Sequence, residues 1–290
     1  MSARVTDPAI KYQAQIDLRE RNSSHTLLHE LAVASGEPNL SVLEVGCSSG
    51  YLGASLTAKG HRVTGVEPDP ASAEAAARVL AEVWIGGLDT FLDAHPDARF
   101  DVLLFGDVLE HMVEPADALR RSLAHLRPGG SVVVSLPNIT HGSVRAMLLE
   151  GRFTYQDRGI LDRTHLRFFS RTGIAQLMAD AGLALERLHE VGQPIDIVGR
   201  EYEMQLSREM ITAVELLDDD DSRHAFQYVL LARPSALPHG QLLAANVAVP
   251  SEPAVPRPHI AGKGSWRRKL QARLFRMILK SLSERRFRGR

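Results

Sequence analysis

The chain is poor in cysteine, in long apolar runs and in net charge. A single cysteine among 290 residues excludes a disulfide scaffold and any zinc or iron–sulfur site built from several cysteines. No run of about 18 apolar residues occurs, so no segment is expected to cross a membrane as a helix. The first ten residues lack the apolar stretch of a secretory signal. With 44% hydrophobic and 24% charged residues, the sequence indicates a globular, cytoplasmic protein.

The net charge of −1 hides a basic C-terminal segment. Residues 266–290 hold ten Lys or Arg and one acid, so the rest of the chain is acidic. Apolar residues recur there at helical spacing, which predicts a basic amphipathic helix over 265–290. Such a helix would bind the anionic inner face of a membrane or an acidic partner protein; nucleic acid is disfavoured because the acidic body carries no recognition motif. Residues 236–264 are rich in Pro and Ala and predict a flexible linker.

Between Ser41 and about Arg233, short apolar runs alternate with amphipathic ones, which predicts an α/β fold with a largely parallel sheet. The predicted strands are Ser41–Val45, Arg62–Val66, Glu82–Ile85, Asp101–Phe105, Ser131–Ser135, Ala184–Val191 and Phe226–Ala232. The predicted helices between them are Leu52–Lys59, Pro70–Val79, Pro115–Leu126 and Arg171–Ala181. Residues 1–36 contain further helix-like stretches and predict an N-terminal helical cap.

A nucleoside site is indicated where the first two strands end. Residues 42–53 read VLEVGCSSGYLG, a strand that runs into a turn with two glycines and then into a helix. Glycines at such a turn let a ligand approach the backbone closely. The second strand ends at Glu67, where a carboxylate would accept both hydrogen bonds of a ribose diol. The turn reads E-x-G-x-x-x-G and lacks the G-x-G-x-x-G of dinucleotide sites, which argues against a nicotinamide cofactor.

Taken together, four segments resemble the class I S-adenosylmethionine-dependent methyltransferases. They are the glycine turn, Glu67, residues 100–111 (FDVLLFGDVLEH) and residues 126–130 (LRPGG), in the order that this family shows. The resemblance spans about Tyr12 to Arg233 and implies a methyltransferase domain over 1–235. It implies a Rossmann-like, seven-stranded, mostly parallel sheet with helices on both faces and an antiparallel last strand. It also implies S-adenosylmethionine as cofactor and S-adenosylhomocysteine as product.

The same resemblance assigns the cofactor to residues at three strand ends. Glu67 would hold the ribose, Pro68 would line the adenine, and Glu44 would orient the turn and the cofactor's ammonium group. The full set is Glu44, Gly46, Cys47, Ser48, Gly50, Tyr51, Glu67, Pro68 and Asp107. The chain departs from the family at Ser48, where glycine is common, and at Gly87, where an acid commonly meets the adenine amino group. Asp89 or a backbone group is expected to replace that acid.

Methyl transfer from a sulfonium is an in-line displacement, which needs alignment, exclusion of water and a base when the acceptor is a hydroxyl. The displacement itself requires no metal, so none is predicted. The candidate bases are His111 first, with His141 and His165 second. Two alternatives stay open, since His111 would also serve as a cap for the helix that starts near Pro115, and His141 as an ordinary loop residue.

Residues 137–170 lie where this family places its acceptor-binding insertion, and they are rich in Arg, Asp, His and aromatics. The predicted acceptor contacts are Tyr155, Asp162, Arg163 and Arg167; the alternative is that Asp162 to His165 form an internal ion-paired turn. This stretch and the start of the chain look like a subgroup from cell-surface polysaccharide and glycolipid biosynthesis, so we predict methylation of a sugar hydroxyl on a surface glycan, glycolipid or glycosylated metabolite. The alternatives are an O- or N-methyltransferase of a quinone precursor or natural product, and a noncatalytic cofactor-binding scaffold.

Overall fold

The computed structural model describes residues 16–217 and 221–255, so the predicted tail 265–290 and most of the predicted start lie outside the described residues. A single sheet of eight strands in the order β3-β2-β1-β4-β5-β7-β6-β8 forms the centre of the fold. The strands are β1 Ser41–Val45, β2 Arg62–Glu67, β3 Glu82–Ile85, β4 Phe100–Gly106, β5 Leu126–Pro137, β6 Leu183–Gly192, β7 Ala225–Pro234 and β8 Glu252–Pro253.

The sheet is mostly parallel, as predicted. β1 lies between β2 and β4, parallel to both, and β5 runs parallel to β4. β7 is antiparallel to β5, with Leu136 opposite Tyr228. The strand order reverses at β1 and β4, and ligands of open α/β sheets bind beyond the carboxyl ends of the strands at such a point. The fold therefore brings the glycine turn and Asp107 to one edge.

The described residues contain ten helices. They are α1 Ser24–Ala32, α2 Tyr51–Thr57, α3 Pro70–Ala76, α4 Leu88–Ala94, α5 Pro115–Ser122, α6 Gly142–Leu149, α7 Arg171–Asp180, α8 Ile195–Glu201, α9 Arg208–Leu217 and α10 His239–Ala248. Local chemistry explains where they begin: Asp69 accepts from the Ser72 amide at 2.8 Å to cap α3, and Ser170 accepts from the Gly173 amide at 3.1 Å to cap α7. All four predicted helices exist, with ends shifted by a few residues.

The prediction of a flexible linker over residues 236–264 is wrong for the part that the structure describes. Residues 239–248 form α10, which packs on α7. The buried Asn246 side chain accepts from the Leu185 amide at 2.9 Å and donates to the Leu183 carbonyl at 3.0 Å. Glu252 then pairs with His189 to add the eighth strand. Small alanines and one buried leucine suffice for this packing, which a composition argument for flexibility does not detect; residues 256–264 lie outside the described residues.

The described residues divide into two compact units. The first, 16–138, 164–191 and 227–255, holds the sheet with α1 to α5, α7 and α10. The second, 139–163 and 192–226 apart from 218–220, holds α6, α8 and α9 around a small core of Ala146, Ile195 and Val214. The predicted insertion 137–170 is thus split between the two units. No described helix has the length and apolarity that a membrane crossing requires.

Candidate active site at the carboxyl edge of the sheet

The turn between β1 and α2 is shaped by its glycines. The Gly46 amide donates to the Val66 carbonyl at 2.8 Å, which ties the turn to β2. Gly46 has φ of 70°, and a Cβ there would come within 2.9 Å of Val108. Gly50 has φ of 77°, and a Cβ there would lie 3.0 Å from the backbone of Ala76. Both positions therefore need glycine for conformation and for space.

Glu67 is fixed by the same turn. Its Oε2 accepts from the Ser48 amide at 2.8 Å, and its Oε1 accepts from the Asp69 amide at 2.9 Å. Ser48 adopts φ of 48°, so the residue that departs from the usual glycine keeps a glycine-like backbone. Each carboxylate oxygen can accept a second hydrogen bond. The orientation of Glu67 is thus preset, and its contact with a ribose diol stays a prediction.

Glu44 is buried at the end of β1. Burial raises the pKa of its carboxyl to about 8, the negative charge of Glu67 adds to the rise, and a hydrogen bond from the Gly53 backbone opposes it. A nearby cation would favour the ionised form instead. The contact of Glu44 with the cofactor's ammonium group stays a prediction.

Cys47 and Tyr51 complete the turn. Burial is the largest cause that raises the pKa of the Cys47 thiol, and it does the same for the Tyr51 hydroxyl. A thiol held protonated is a poor nucleophile. The Tyr51 ring meets the His25 ring edge to face at 5.2 Å. Both residues line the turn as packing groups.

Asp107 follows β4 directly and is held by two further strands. The Ser135 hydroxyl donates to its Oδ1 at 2.9 Å and accepts from its amide at 3.0 Å. The amide group of Gln227, on β7, donates to the same Oδ1. Asp107 has φ of 51°, a strained conformation that these contacts stabilise. Sequence analysis missed Gln227, although a glutamine inside the apolar run FQYVLLA was a signal for it.

Of the two residues predicted at the adenine, one is exposed without an ion pair described for it and the other belongs to an ion pair. Pro68 is exposed just after β2. Asp89, in the first turn of α4, pairs with Arg121 at 2.5 Å, and Arg121 also pairs with Asp93 at 2.7 Å. This ion pair lies at the surface, and the adenine contact of Asp89, or of a backbone group in its place, stays a prediction.

His111 lies in a single 3₁₀ turn, Leu109–His111, three residues after Gly106 ends β4. Its Nδ1 lies 3.1 Å from the Thr164 carbonyl oxygen. A carbonyl only accepts, so Nδ1 carries the hydrogen and Nε2 keeps the lone pair. Glu114 occupies the N-cap of α5, so the capping alternative for His111 is wrong. The His165 ring lies 4.8 Å from the His111 ring, edge to face.

The structure contradicts a catalytic role for His141. The residue is fully buried at the N-cap of α6, where Nδ1 accepts from the Ser143 amide at 3.2 Å. Its Nε2 lies 3.0 Å from the Gln193 carbonyl oxygen and therefore donates to it. Burial lowers the pKa of His141 to about 4. Nδ1 caps α6 and Nε2 bonds to a carbonyl, so both nitrogens of this buried ring have partners inside the protein.

Three of the four residues predicted to contact the acceptor are buried or have a side-chain partner within the protein. Arg167 donates to the Val113 carbonyl at 2.6 and 3.0 Å. Arg163 pairs with Asp157 at 2.5 Å, and Asp162 is buried, with its amide 3.1 Å from the Gly159 carbonyl. These contacts fit the alternative of an internal turn. Tyr155 is half exposed, edge to face with Phe153.

Residues 15–188, more than half of the chain, match the family described as a methyltransferase domain. The chain belongs to this family, the class I S-adenosylmethionine-dependent methyltransferases. The predicted family and fold are thereby confirmed, whereas the predicted glycan subgroup is not.

Curated relatives of this methyltransferase carry the name ubiquinone biosynthesis O-methyltransferase. The protein from Bradyrhizobium sp. (strain ORS 278) is 39% identical over 103 residues, which cover 34% of this chain and 40% of that protein. The protein from Methylocella silvestris is 32% identical over 152 residues, which cover 50% of this chain and 58% of the relative. The chain thus spans about half the length of these relatives.

Solved structures share the methyltransferase fold. Magnesium protoporphyrin IX methyltransferase from Synechocystis PCC 6803 with bound S-adenosylhomocysteine has a TM-score of 0.50 at 16% identity, covering 77% of this chain and 90% of that one. An S-adenosylmethionine-dependent methyltransferase from Archaeoglobus fulgidus has a TM-score of 0.50 at 16% identity, covering 72% and 94%. At this identity the likeness concerns the fold alone.

Proposed function

We propose that this methyltransferase moves a methyl group from S-adenosylmethionine to the hydroxyl of a small aromatic molecule, of the kind represented by quinone precursors. The observation that carries the proposal is the similarity to relatives named ubiquinone biosynthesis O-methyltransferase. The arrangement at the strand ends supports it, because preset groups for a nucleoside and an accessible histidine share one edge of the sheet.

In this proposal each fixed group has one task. Glu67 binds the ribose hydroxyls, Glu44 pairs with the ammonium group, and the glycine turn admits the methionine chain. Asp107, held by Ser135 and Gln227, lies beside the methionyl group. The acceptor oxygen attacks the methyl carbon as the carbon–sulfur bond breaks, and S-adenosylhomocysteine leaves.

The proton of the hydroxyl determines where the acceptor must lie. A phenol has a pKa near 10, so its oxygen is easier to activate than that of a sugar alcohol. His111 lies five residues beyond the end of β4, and its Nδ1 donates to the Thr164 carbonyl, which leaves the Nε2 lone pair for an acceptor. We therefore place the acceptor hydroxyl at His111.

The sugar hydroxyl predicted from the sequence has less support. It rested on the resemblance of residues 151–169 and of the start of the chain. Of the predicted contacts, Asp162 is buried, and Arg163 and Arg167 have partners within the protein. Attachment of residues 265–290 to an anionic membrane or an acidic partner stays a prediction, because the segment lies outside the described residues.

The test is incubation of the full chain with methyl-labelled S-adenosylmethionine and three acceptor sets: dihydroxyphenols with an alkyl chain, a lipid fraction and a polysaccharide fraction. We expect label in the phenols. Label confined to the lipid or polysaccharide fraction would instead restore the sugar hydroxyl, and absence of label from every set would contradict the proposal.

The matched control variants are Glu67→Gln at the ribose position and Glu74→Gln on the exposed face of α3. Losing the charged acceptor should weaken S-adenosylhomocysteine binding about 100-fold in the first variant, since hydrogen bonds to charged groups contribute about 1.5–3 kcal/mol each. The second variant should bind normally, because its side chain is 76% exposed.

A further inference from the structure

Asp107 lies beside the glycine turn. Gly46 is packed so closely on Val108 that a Cβ added to this glycine would come within 2.9 Å of the Val108 side chain. A Cβ added to Gly106 would lie 3.3 Å from the side chain of Leu28, on α1. The two neighbours of Asp107 in the chain thus contact the turn and α1. Asp107 therefore lies next to the turn to which the proposed function assigns the methionine chain of the cofactor.

The charge of Asp107 acts on two aromatic groups near this turn. Burial is the largest cause that raises the pKa of the Tyr51 hydroxyl, and the charge of Asp107 comes next. Burial lowers the pKa of His25, and the charge of Asp107 opposes that effect. Tyr51 begins α2 directly after the turn, and His25 lies in the first turn of α1. The negative potential of this carboxylate therefore extends to the starts of both helices.

The two oxygens of the Asp107 carboxylate differ in their contacts. The Ser135 hydroxyl and the Gln227 amide group both donate to Oδ1. Ser135 is fully buried and Gln227 is 8% exposed, so water competes little for these two bonds. Within the part of the chain that the structure describes, no hydrogen bond to Oδ2 is found. The side chain is thus held through one oxygen, and the other can meet a cationic ligand.

The cofactor carries two cationic groups, which differ in where they occur. The ammonium group is present in both S-adenosylmethionine and S-adenosylhomocysteine. The sulfonium is present only in S-adenosylmethionine, because the product has a neutral thioether in its place. The proposed function assigns the ammonium group to Glu44, so the sulfonium is the cation still to be matched with a carboxylate.

We propose that the Asp107 carboxylate attracts the sulfonium and thereby distinguishes S-adenosylmethionine from S-adenosylhomocysteine, with Ser135 and Gln227 as its positioning residues. The attraction between opposite charges about 5 Å apart in a protein site is large enough to change an affinity by about 10- to 100-fold. Because the attraction ends when the sulfur has lost its charge, the spent cofactor is held less firmly than the fresh one. This inference rests on the proposed function for the position of the cofactor, and it does not depend on the acceptor.

The experiment measures the dissociation constants of both ligands by calorimetry on the full chain, with no acceptor present. Asp107→Asn removes the charge, keeps the size of the side chain, and retains a residue type that tolerates positive φ. We expect this variant to bind S-adenosylmethionine about 10- to 100-fold more weakly and S-adenosylhomocysteine nearly as well as the wild type does. Equal weakening of both ligands would show that Asp107 meets the shared ammonium group or acts through structure alone, and would overturn the proposal.

Sinefungin separates the charge from the methyl group, because it carries an ammonium group where S-adenosylmethionine carries the methylsulfonium. Asp107→Asn should weaken the binding of sinefungin as it weakens that of S-adenosylmethionine. Sinefungin binding that the substitution leaves unchanged would assign the discrimination to the methyl group and would also overturn the proposal.

Ser135→Ala and Gln227→Leu test the positioning residues. Each variant keeps Asp107 but removes one donor to its Oδ1, so the preference for S-adenosylmethionine over S-adenosylhomocysteine should fall by a smaller factor than in Asp107→Asn. A merely structural role would weaken both ligands equally. The matched control is Ser122→Ala, because Ser122 is also fully buried and its hydroxyl donates to the Ala118 carbonyl at 2.8 Å. This control should keep the wild-type preference.

The Tm of each variant without ligand shows whether it is folded. If Asp107→Asn does not fold, Ser135→Ala and Gln227→Leu decide by the same preference. Loss of the preference in a protein that methylates no acceptor would support this inference and contradict the proposed function. Methylation of phenols by a protein whose preference Asp107→Asn leaves unchanged would overturn this inference and keep the proposed function intact.

Discussion

Two histidines that follow neighbouring strands, His111 after β4 and His141 after β5, use their ring nitrogens in opposite ways. His111 donates through Nδ1 to the Thr164 carbonyl and keeps the Nε2 lone pair. His141 is the other tautomer, with Nε2 donating to the Gln193 carbonyl and Nδ1 accepting from the Ser143 amide inside a helix cap. A position at a strand end is therefore a weak predictor of chemistry, and the partners of each ring nitrogen decide.

The most direct test of this difference between the two histidines is to replace each of them with glutamine. His111→Gln should lower the rate of methyl transfer about 100-fold or more, because loss of a group that activates the acceptor typically has an effect of this size. His141→Gln should leave the rate per folded molecule within about twofold and lower the free energy of unfolding by about 1–3 kcal/mol, the cost of a lost buried hydrogen bond. Rates and urea unfolding of both variants measure this; a large rate loss confined to His141→Gln would contradict it.

The pH dependence of stability should single out His141. Its folded pKa of about 4 lies below the ordinary histidine value of 6.5, so the unfolded state binds more protons between these values. The stability present above pH 6.5 is lost as pH falls to 4, by up to about 3 kcal/mol. The variant His141→Asn keeps a cap acceptor and should lack this part of the decline. Equal acid sensitivity of the two proteins would argue against the buried, neutral imidazole.

Glu44 offers a second test of what burial does to a titratable group, because it is buried like His141 but belongs to the predicted cofactor site. Its folded pKa of about 8 exceeds the ordinary glutamate value of 4.5, so its contribution to stability is fully present below pH 4.5 and is lost as pH rises through 8. Wild-type protein should lose about 1–3 kcal/mol relative to Glu44→Gln between pH 5.5 and 8.

Saturating S-adenosylhomocysteine should reduce that loss in the wild type, because its ammonium group favours the carboxylate. Unfolding curves with and without the ligand measure this. A pH dependence that the ligand leaves unchanged would place the ammonium group elsewhere.

Much of the first compact unit was predictable because its signals are local. β1 and β3 have the predicted bounds, and the glycine turn lies where E-x-G-x-x-x-G placed it. The second unit was not predicted in this way: α6, α8 and α9 are short and pack around a core as small as Ala146, Ile195 and Val214. With so few buried apolar residues, their inward faces give a periodicity argument little to register.

The sequence by itself determined the family, the order of the strands along the chain and the residues of the glycine turn, since these depend on periodicity and on backbone conformations that neighbouring residues set. Only the tertiary structure decided which histidine keeps an available nitrogen, that Gln227 holds Asp107, and that Glu110 and His165 meet. Each of these facts joins segments from distant parts of the chain, and no local pattern encodes the partner that a folded backbone brings to a side chain.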